Sequence, residues 1–173
     1  MYPDLTFVLG GAASGKSAFA EQLVVSAKKK RVYLATSQVF DDEMRDKVQR
    51  HISQRGAGWT TVEAPFDLGP ALGDLTPEDV CLIDCATMWL TNHLLVENDL
   101  EQAQVDLLQV LKSCRAPVVI VSNEVGHGIV PDSALSRQFR EAQGRLNIAL
   151  ASQADLVVQV TAGLPLVLKG QMP

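Results

Sequence analysis

Eight consecutive residues, Gly10-Gly11-Ala12-Ala13-Ser14-Gly15-Lys16-Ser17, fit the pattern G-x-x-x-x-G-K-[ST]. Glycines at its ends let the backbone curl until successive N–H groups converge on phosphate oxygens. A helix starting at the end of the loop adds its positive dipole. Lys16 is then placed to reach the β and γ phosphates, and Ser17 to hold Mg²⁺. Average residue usage makes such a match a chance event about once in 200 chains of this length, so an incidental glycine turn is the weaker reading.

Asp84 ends the apolar run Val80-Cys81-Leu82-Ile83, where a Walker-B acid would hold Mg²⁺ or its water shell. Any buried strand can end in Asp, so this residue draws its meaning from the loop. His51 lies beside a helical stripe of Met44, Val48 and Ile52, and spacing alone makes it a core-edge histidine. Neutral imidazole is also a competent nucleophile near pH 7. His127, flanked by Gly126 and Gly128 just after a buried strand candidate, is either a ligand contact or a plain turn residue, while His93 inside an apolar helix reads as structural. No spacing of His, Cys, Asp or Glu makes a metal box.

These residues need a scaffold, and apolar runs of strand length alternate with longer helical patterns in a βαβ rhythm. Strands are expected at residues 5–9, 32–35, 59–64, 80–85, 118–121, 156–160 and 164–168. Helices are expected at 16–29, 41–54, 88–96, 100–114 and 132–152, with an irregular stretch at 65–79 that holds one helical turn. Gly163 joins the last two strands as a hairpin. The basic run Lys28 to Arg31 reads as a solvated cluster at a helix C-terminus. The fold class is therefore α/β: a P-loop NTPase fold with a mainly parallel sheet flanked by helices, closed by a C-terminal β-hairpin.

A length of 173 residues fits one nucleotide-binding domain spanning 1–173. Hydrophobic residues at 47% and charged residues at 20% are ordinary globular usage and exclude disorder, collagen-like repeats and coiled coil. A net charge of -5 disfavours a nucleic-acid partner. No signal peptide or membrane span is expected, and a cytoplasmic location follows. Three cysteines, Cys81, Cys85 and Cys114, are too few for a disulfide framework and read as plain thiols.

Beyond the loop, the chain carries Ala35-Thr36-Ser37-Gln38, Asp41-Asp42-Glu43-Met44 with His51 and Trp59, and Thr91-Asn92. It also carries Asn123-Glu124-Val125-Gly126 with Gly128-Ile129-Val130-Pro131, Arg137-Gln138-Phe139-Arg140, Gly144-Arg145-Leu146-Asn147 and Gly163-Leu164-Pro165-Leu166. In this combination the chain resembles the adenosylcobinamide kinase/adenosylcobinamide-phosphate guanylyltransferase family over nearly its whole length. The resemblance implies a bifunctional transferase of adenosylcobalamin biosynthesis. It would phosphorylate adenosylcobinamide with ATP or GTP, then transfer GMP from GTP to the phosphate through a GMP-histidine, releasing pyrophosphate.

That histidine falls on His51. The implied nucleotide contacts fall on Gly10, Gly11, Ala12, Ala13, Ser14, Gly15, Lys16 and Ser17, on Thr36, Ser37 and Gln38, on Ile52, Ser53, Gln54 and Arg55, and on Glu63 and Asp84. Lys16 is implied to be catalytic with His51, and Ser17 and Asp84 to be the Mg²⁺ ligands. Family members are homotrimers, which places substrate between subunits. The chain departs from the family at Ala13, where Arg is usual, so one cation near the phosphates is absent; Glu141 and Ile148 replace a usual Asp and Gln. Two rival readings stay open: a small-molecule kinase without guanylyl transfer, and a nucleotide-switched binding module.

Overall fold

The computed structural model describes residues 2–38, 45, 46, 49, 52, 53 and 55–173. Among them, seven strands form one sheet: β1 (Leu5–Gly10), β2 (Lys30–Ala35), β3 (Trp59–Glu63), β4 (Asp79–Asp84), β5 (Val118–Asn123), β6 (Leu156–Thr161) and β7 (Leu164–Lys169). Their spatial order is β3-β2-β4-β5-β1-β6-β7. All pairs are parallel except β6 with β7. The helices are α1 (Lys16–Ser26), α2 (Gly69–Gly73), α3 (Ala86–Leu95), α4 (Leu100–Ser113) and α5 (Ala134–Gln153). Residues 45, 46, 49, 52 and 53 are helical within the stretch where the 41–54 helix is expected, and residue 55 is helical one position beyond it; the rest of that stretch lies outside the described residues.

The sheet is buried on both faces because the middle residues of its central strands are almost all apolar, and the period of two then sorts them. Phe7, Leu34, Ile83 and Ile120 face the layer that includes Trp89 of α3, Leu107 of α4 and Leu146 of α5. Val8, Tyr33, Leu82 and Val121 face Ala20, Leu23 and Val24 of α1. Truncating a fully buried side chain such as Phe7 to Ala would cost about 3–5 kcal/mol.

Several element boundaries depart from expectation, and four of them have a physical cause on view. Helix α1 stops at Ser26 because Lys28 adopts a left-handed conformation, φ +54°, that a helix cannot carry. The basic run is therefore not a helix C-terminal cluster. Lys30 and Arg31 begin β2; Arg31 donates to the carbonyls of Gly58 and Ala57 and lies over Trp59, and Lys29 donates to Pro77 O. Cys85 leaves β4 to become the N-cap of α3, which starts two residues early. Helix α5 starts at Ala134 because the Ser133 hydroxyl accepts from the Ser136 N–H. The single helical turn expected within 65–79 is α2.

Candidate nucleotide site

Parallel pairing sends the ends of β1 to β6 to one edge, where α/β folds place ligands. Gly10 is in register with Asn123 on β5, while Ala35 is in register with Glu63 on β3 and Asp84 on β4. The glycine loop, residues 36–38, Glu63 and Asp84 thus share that edge. Strand β5 separates Asp84 from β1, so the carboxylate stands two strand spacings away, roughly 10 Å. That gap leaves room for a polyphosphate between loop and carboxylate.

The loop is shaped by backbone bonds. The Ser14 N–H donates to Gly11 O at 3.3 Å, and the Gly163 N–H of the β6–β7 hairpin donates to Ser14 O at 2.7 Å. Gly15 has φ +92°, and a Cβ there would lie 2.9 Å from Gly163 Cα, so both conformation and space require glycine. A Cβ at Gly10 would meet Ser14 Oγ and Val160 O. Ala13 takes a left-handed φ of +53° without being glycine. Ala12 and Ala13 are exposed and Gly11 half-buried.

Lys16 is only 9% exposed, and its Nζ donates to Gly11 O at 3.0 Å. That bond takes one of three ammonium donors and holds the charge at the mouth of the loop. Ser14 Oγ is buried with no protein partner among the described residues, a hydroxyl suited to an added phosphate oxygen. Ser17 is exposed on the first turn of α1.

The other side is organised by β2. Thr36 is fully buried, and its hydroxyl donates to Cys85 O and accepts from the Cys85 N–H. Asn92 Nδ2 bonds Thr36 O and Pro65 O. Thr36 therefore clamps the ends of β2 and β4, and Ser37 and Gln38, half-buried, follow from that fixed point. Tyr33 Oη donates to Asp84 Oδ2 at 2.6 Å, and the Arg55 guanidinium lies 3.3 Å from the centre of the Tyr33 ring. Burial first, then the Asp84 carboxylate, pushes the Tyr33 phenol far above its ordinary range, so it stays a donor.

Ile52 and Arg55 are half-buried and Ser53 and Glu63 exposed. His51 and Gln54 lie outside the described residues. His93 is fixed among aromatics: its Nε2 faces Phe66 O, its Nδ1 faces Asn98 Nδ2, and the Trp89 ring is 4.5 Å away. His127 is exposed in the loop after β5. Burial raises all three thiols, Cys81, Cys85 and Cys114, so none is an activated nucleophile.

A hydroxyl at Ser17 and a carboxylate at Asp84 are hard oxygen donors, the set that suits Mg²⁺ shared with phosphate oxygens and water. No group of three or more His, Cys, Asp or Glu that could hold a metal by itself occurs among the described residues. Sequence reasoning missed Tyr33, the Thr36–Cys85 clamp and the Gly163 contact. An aromatic with a polar tip in a buried run is the one signal that could have found the first.

Residues 6–168 match the family model described as CobU: cobinamide kinase / cobinamide phosphate guanyltransferase. The chain is 41% identical to the bifunctional adenosylcobalamin biosynthesis protein CobU of Salmonella typhimurium, covering 95% of this chain and 99% of that protein. It is 39% identical to the bifunctional adenosylcobalamin biosynthesis protein CobP of Pseudomonas aeruginosa, covering 95% and 96%. Two solved structures share the fold. The flagellar accessory protein FlaH of Methanocaldococcus jannaschii has a TM-score of 0.51 at 12% identity, covering 99% of this chain and 81% of that one. An ATPase of a bacterial type III secretion system has 0.57 at 10%, covering 95% and 56%. The glycine loop, the sheet edge and the full-length match agree: this chain belongs to the cobinamide kinase/cobinamide phosphate guanylyltransferase family.

Proposed function

We propose that the chain, as one nucleotide-binding domain over residues 1–173, carries both family activities on adenosylcobinamide. In the first, the γ-phosphoryl group of ATP or GTP passes to the substrate hydroxyl. In the second, a ring nitrogen of His51 bonds to the α-phosphorus of GTP as the bond to the pyrophosphate oxygen breaks. A phosphate oxygen of adenosylcobinamide phosphate then displaces the histidine and takes the GMP. What supports this reading most directly is the full-length family match joined to a formed phosphate loop with Lys16 at its mouth.

Lys16 and the N–H groups of residues 11–17 would hold the phosphates, with residues 36–38, Ile52 to Arg55 and Glu63 around the nucleotide. Ser17 and Asp84 would hold Mg²⁺, which when bound supplies positive charge to the phosphate oxygens. These groups act mainly by positioning and by neutralising charge that develops on the leaving oxygens. The reading also includes a homotrimer. Strand β7 is exposed along its length at the sheet edge, with Leu164 72% exposed, and an apolar edge strand of this kind is suited to a second copy. Sedimentation of the full chain tests that state.

The reaction itself is tested with adenosylcobinamide, Mg²⁺ and two labels. γ-labelled ATP should give labelled adenosylcobinamide phosphate, and α-labelled GTP should give labelled adenosylcobinamide-GDP with pyrophosphate. The first product without the second would mean a small-molecule kinase. Nucleotide binding with neither product would mean a switched binding module.

A further inference from the structure

Tyr33 sits in the middle of β2, buried, on the face of the sheet that packs against α1. It precedes by two residues Ala35, the register partner of Asp84, so its ring and the Asp84 side chain lie on one face with a diagonal offset. A long aromatic side chain spans that offset, and Tyr33 Oη reaches Asp84 Oδ2 at 2.6 Å. A buried phenol is stable there only with such a partner. Two groups hold the ring in turn. The Trp59 ring meets it edge-on at 6.3 Å, and the Arg55 guanidinium stacks on it at 3.3 Å.

The Tyr33 hydroxyl thus reaches one carboxylate oxygen, and its ring is held from two sides, by Trp59 of β3 and by Arg55. Arg55 lies above the phenol, its Nε buried without a hydrogen-bond partner among the described residues, so the cation acts on the ring. A cation over the face draws electron density from the oxygen and strengthens the O–H as a donor. We infer that Tyr33 is a positioning residue of the metal site: its hydroxyl fixes the Asp84 carboxylate by one oxygen and so orients the other for the divalent ion, with Arg55 as the backing that holds the ring. This rests on the reading of Asp84 as a metal ligand.

The test uses the full-length protein, Mn²⁺ as the probe and a GTP analogue with a methylene bridge between the α and β phosphorus atoms, which cannot release pyrophosphate. Bound and free Mn²⁺ are separated by their electron paramagnetic resonance signals, and analogue binding is measured again with metal chelated. Tyr33→Phe keeps the ring and its packing, and a melting curve checks its fold. The expected result is Mn²⁺ binding weakened by roughly three- to ten-fold, the scale of one charge-assisted hydrogen bond partly replaced by water, with metal-free analogue binding unchanged. Arg55→Met, at a more exposed position, should weaken Mn²⁺ in the same direction by a smaller factor. Asp84→Asn supplies the reference. If Asp84→Asn weakens Mn²⁺ while Tyr33→Phe and Arg55→Met follow the parent curve, the inference is overturned and the metal reading of Asp84 stands. If Asp84→Asn also follows the parent curve, both fall.

Discussion

The loops after β1 and β5 leave neighbouring strands at the same edge, joined where the Glu124 N–H donates to Gly10 O. Both are rich in glycine, yet they are built differently. Residues 10–15 are held mainly by main-chain bonds to the loop itself and to the Gly163 hairpin, joined by Lys16 Nζ on Gly11 O, with left-handed conformations at Ala13 and Gly15. Residues 124–133 are held by side chains of α5. Arg140 donates to the carbonyls of Gly126 and Ile129, and Arg137 to those of Pro131 and Asp132. The tip between these anchors carries Ile129 at 96% exposure and Val130 at 66%. A loop whose main chain is its own scaffold presents N–H groups to an anion; one pinned by remote cations has its carbonyls occupied and presents side chains instead.

The largest expected break is Lys16→Ala, which removes the ammonium at the loop mouth and should lower turnover by about 100-fold or more. Gly15→Val comes next. It forces a branched side chain into a left-handed φ against Gly163, and nucleotide affinity should fall roughly 10- to 100-fold for a strain of 1–3 kcal/mol. Arg140→Ala should leave nucleotide affinity within about two-fold while speeding amide exchange around residues 126–131 by roughly ten-fold, the loss of hydrogen bonds to a charged group. Equal losses of affinity in Gly15→Val and Arg140→Ala would erase the distinction between the loops. The smallest effect is a gain: Ala13→Arg adds an exposed cation beside the phosphates and should tighten triphosphate binding about two- to five-fold, measured by calorimetry.

The same contrast explains what was legible in the sequence. Gly10, Gly15, Lys16 and Ser17 encode their loop within eight residues, so their spacing suffices. The strands were legible because Val118 to Val121 or Val80 to Ile83 are apolar without interruption, as two-sided burial requires. Arg140 was not, because its partners lie 11 and 14 residues away along the chain. The cluster of Thr87, Ser122, Gln143 and Asn147 that ties β5 to α3 and α5 also escaped: four polar residues from three elements meet only in the fold. Helix α1 ran too long in expectation because Lys28 carries no turn signal, although it takes a left-handed φ. The catalytic reading of His51 came from resemblance, since spacing alone made it a core-edge residue.

The central claim is the covalent step at that residue. Purified protein is incubated with Mg²⁺ and GTP labelled at the α-phosphate, denatured, digested and mapped. The account predicts acid-labile label on the peptide containing His51 and none in His51→Ala. No label on protein that binds GTP, or equal label in His51→Ala, would contradict it.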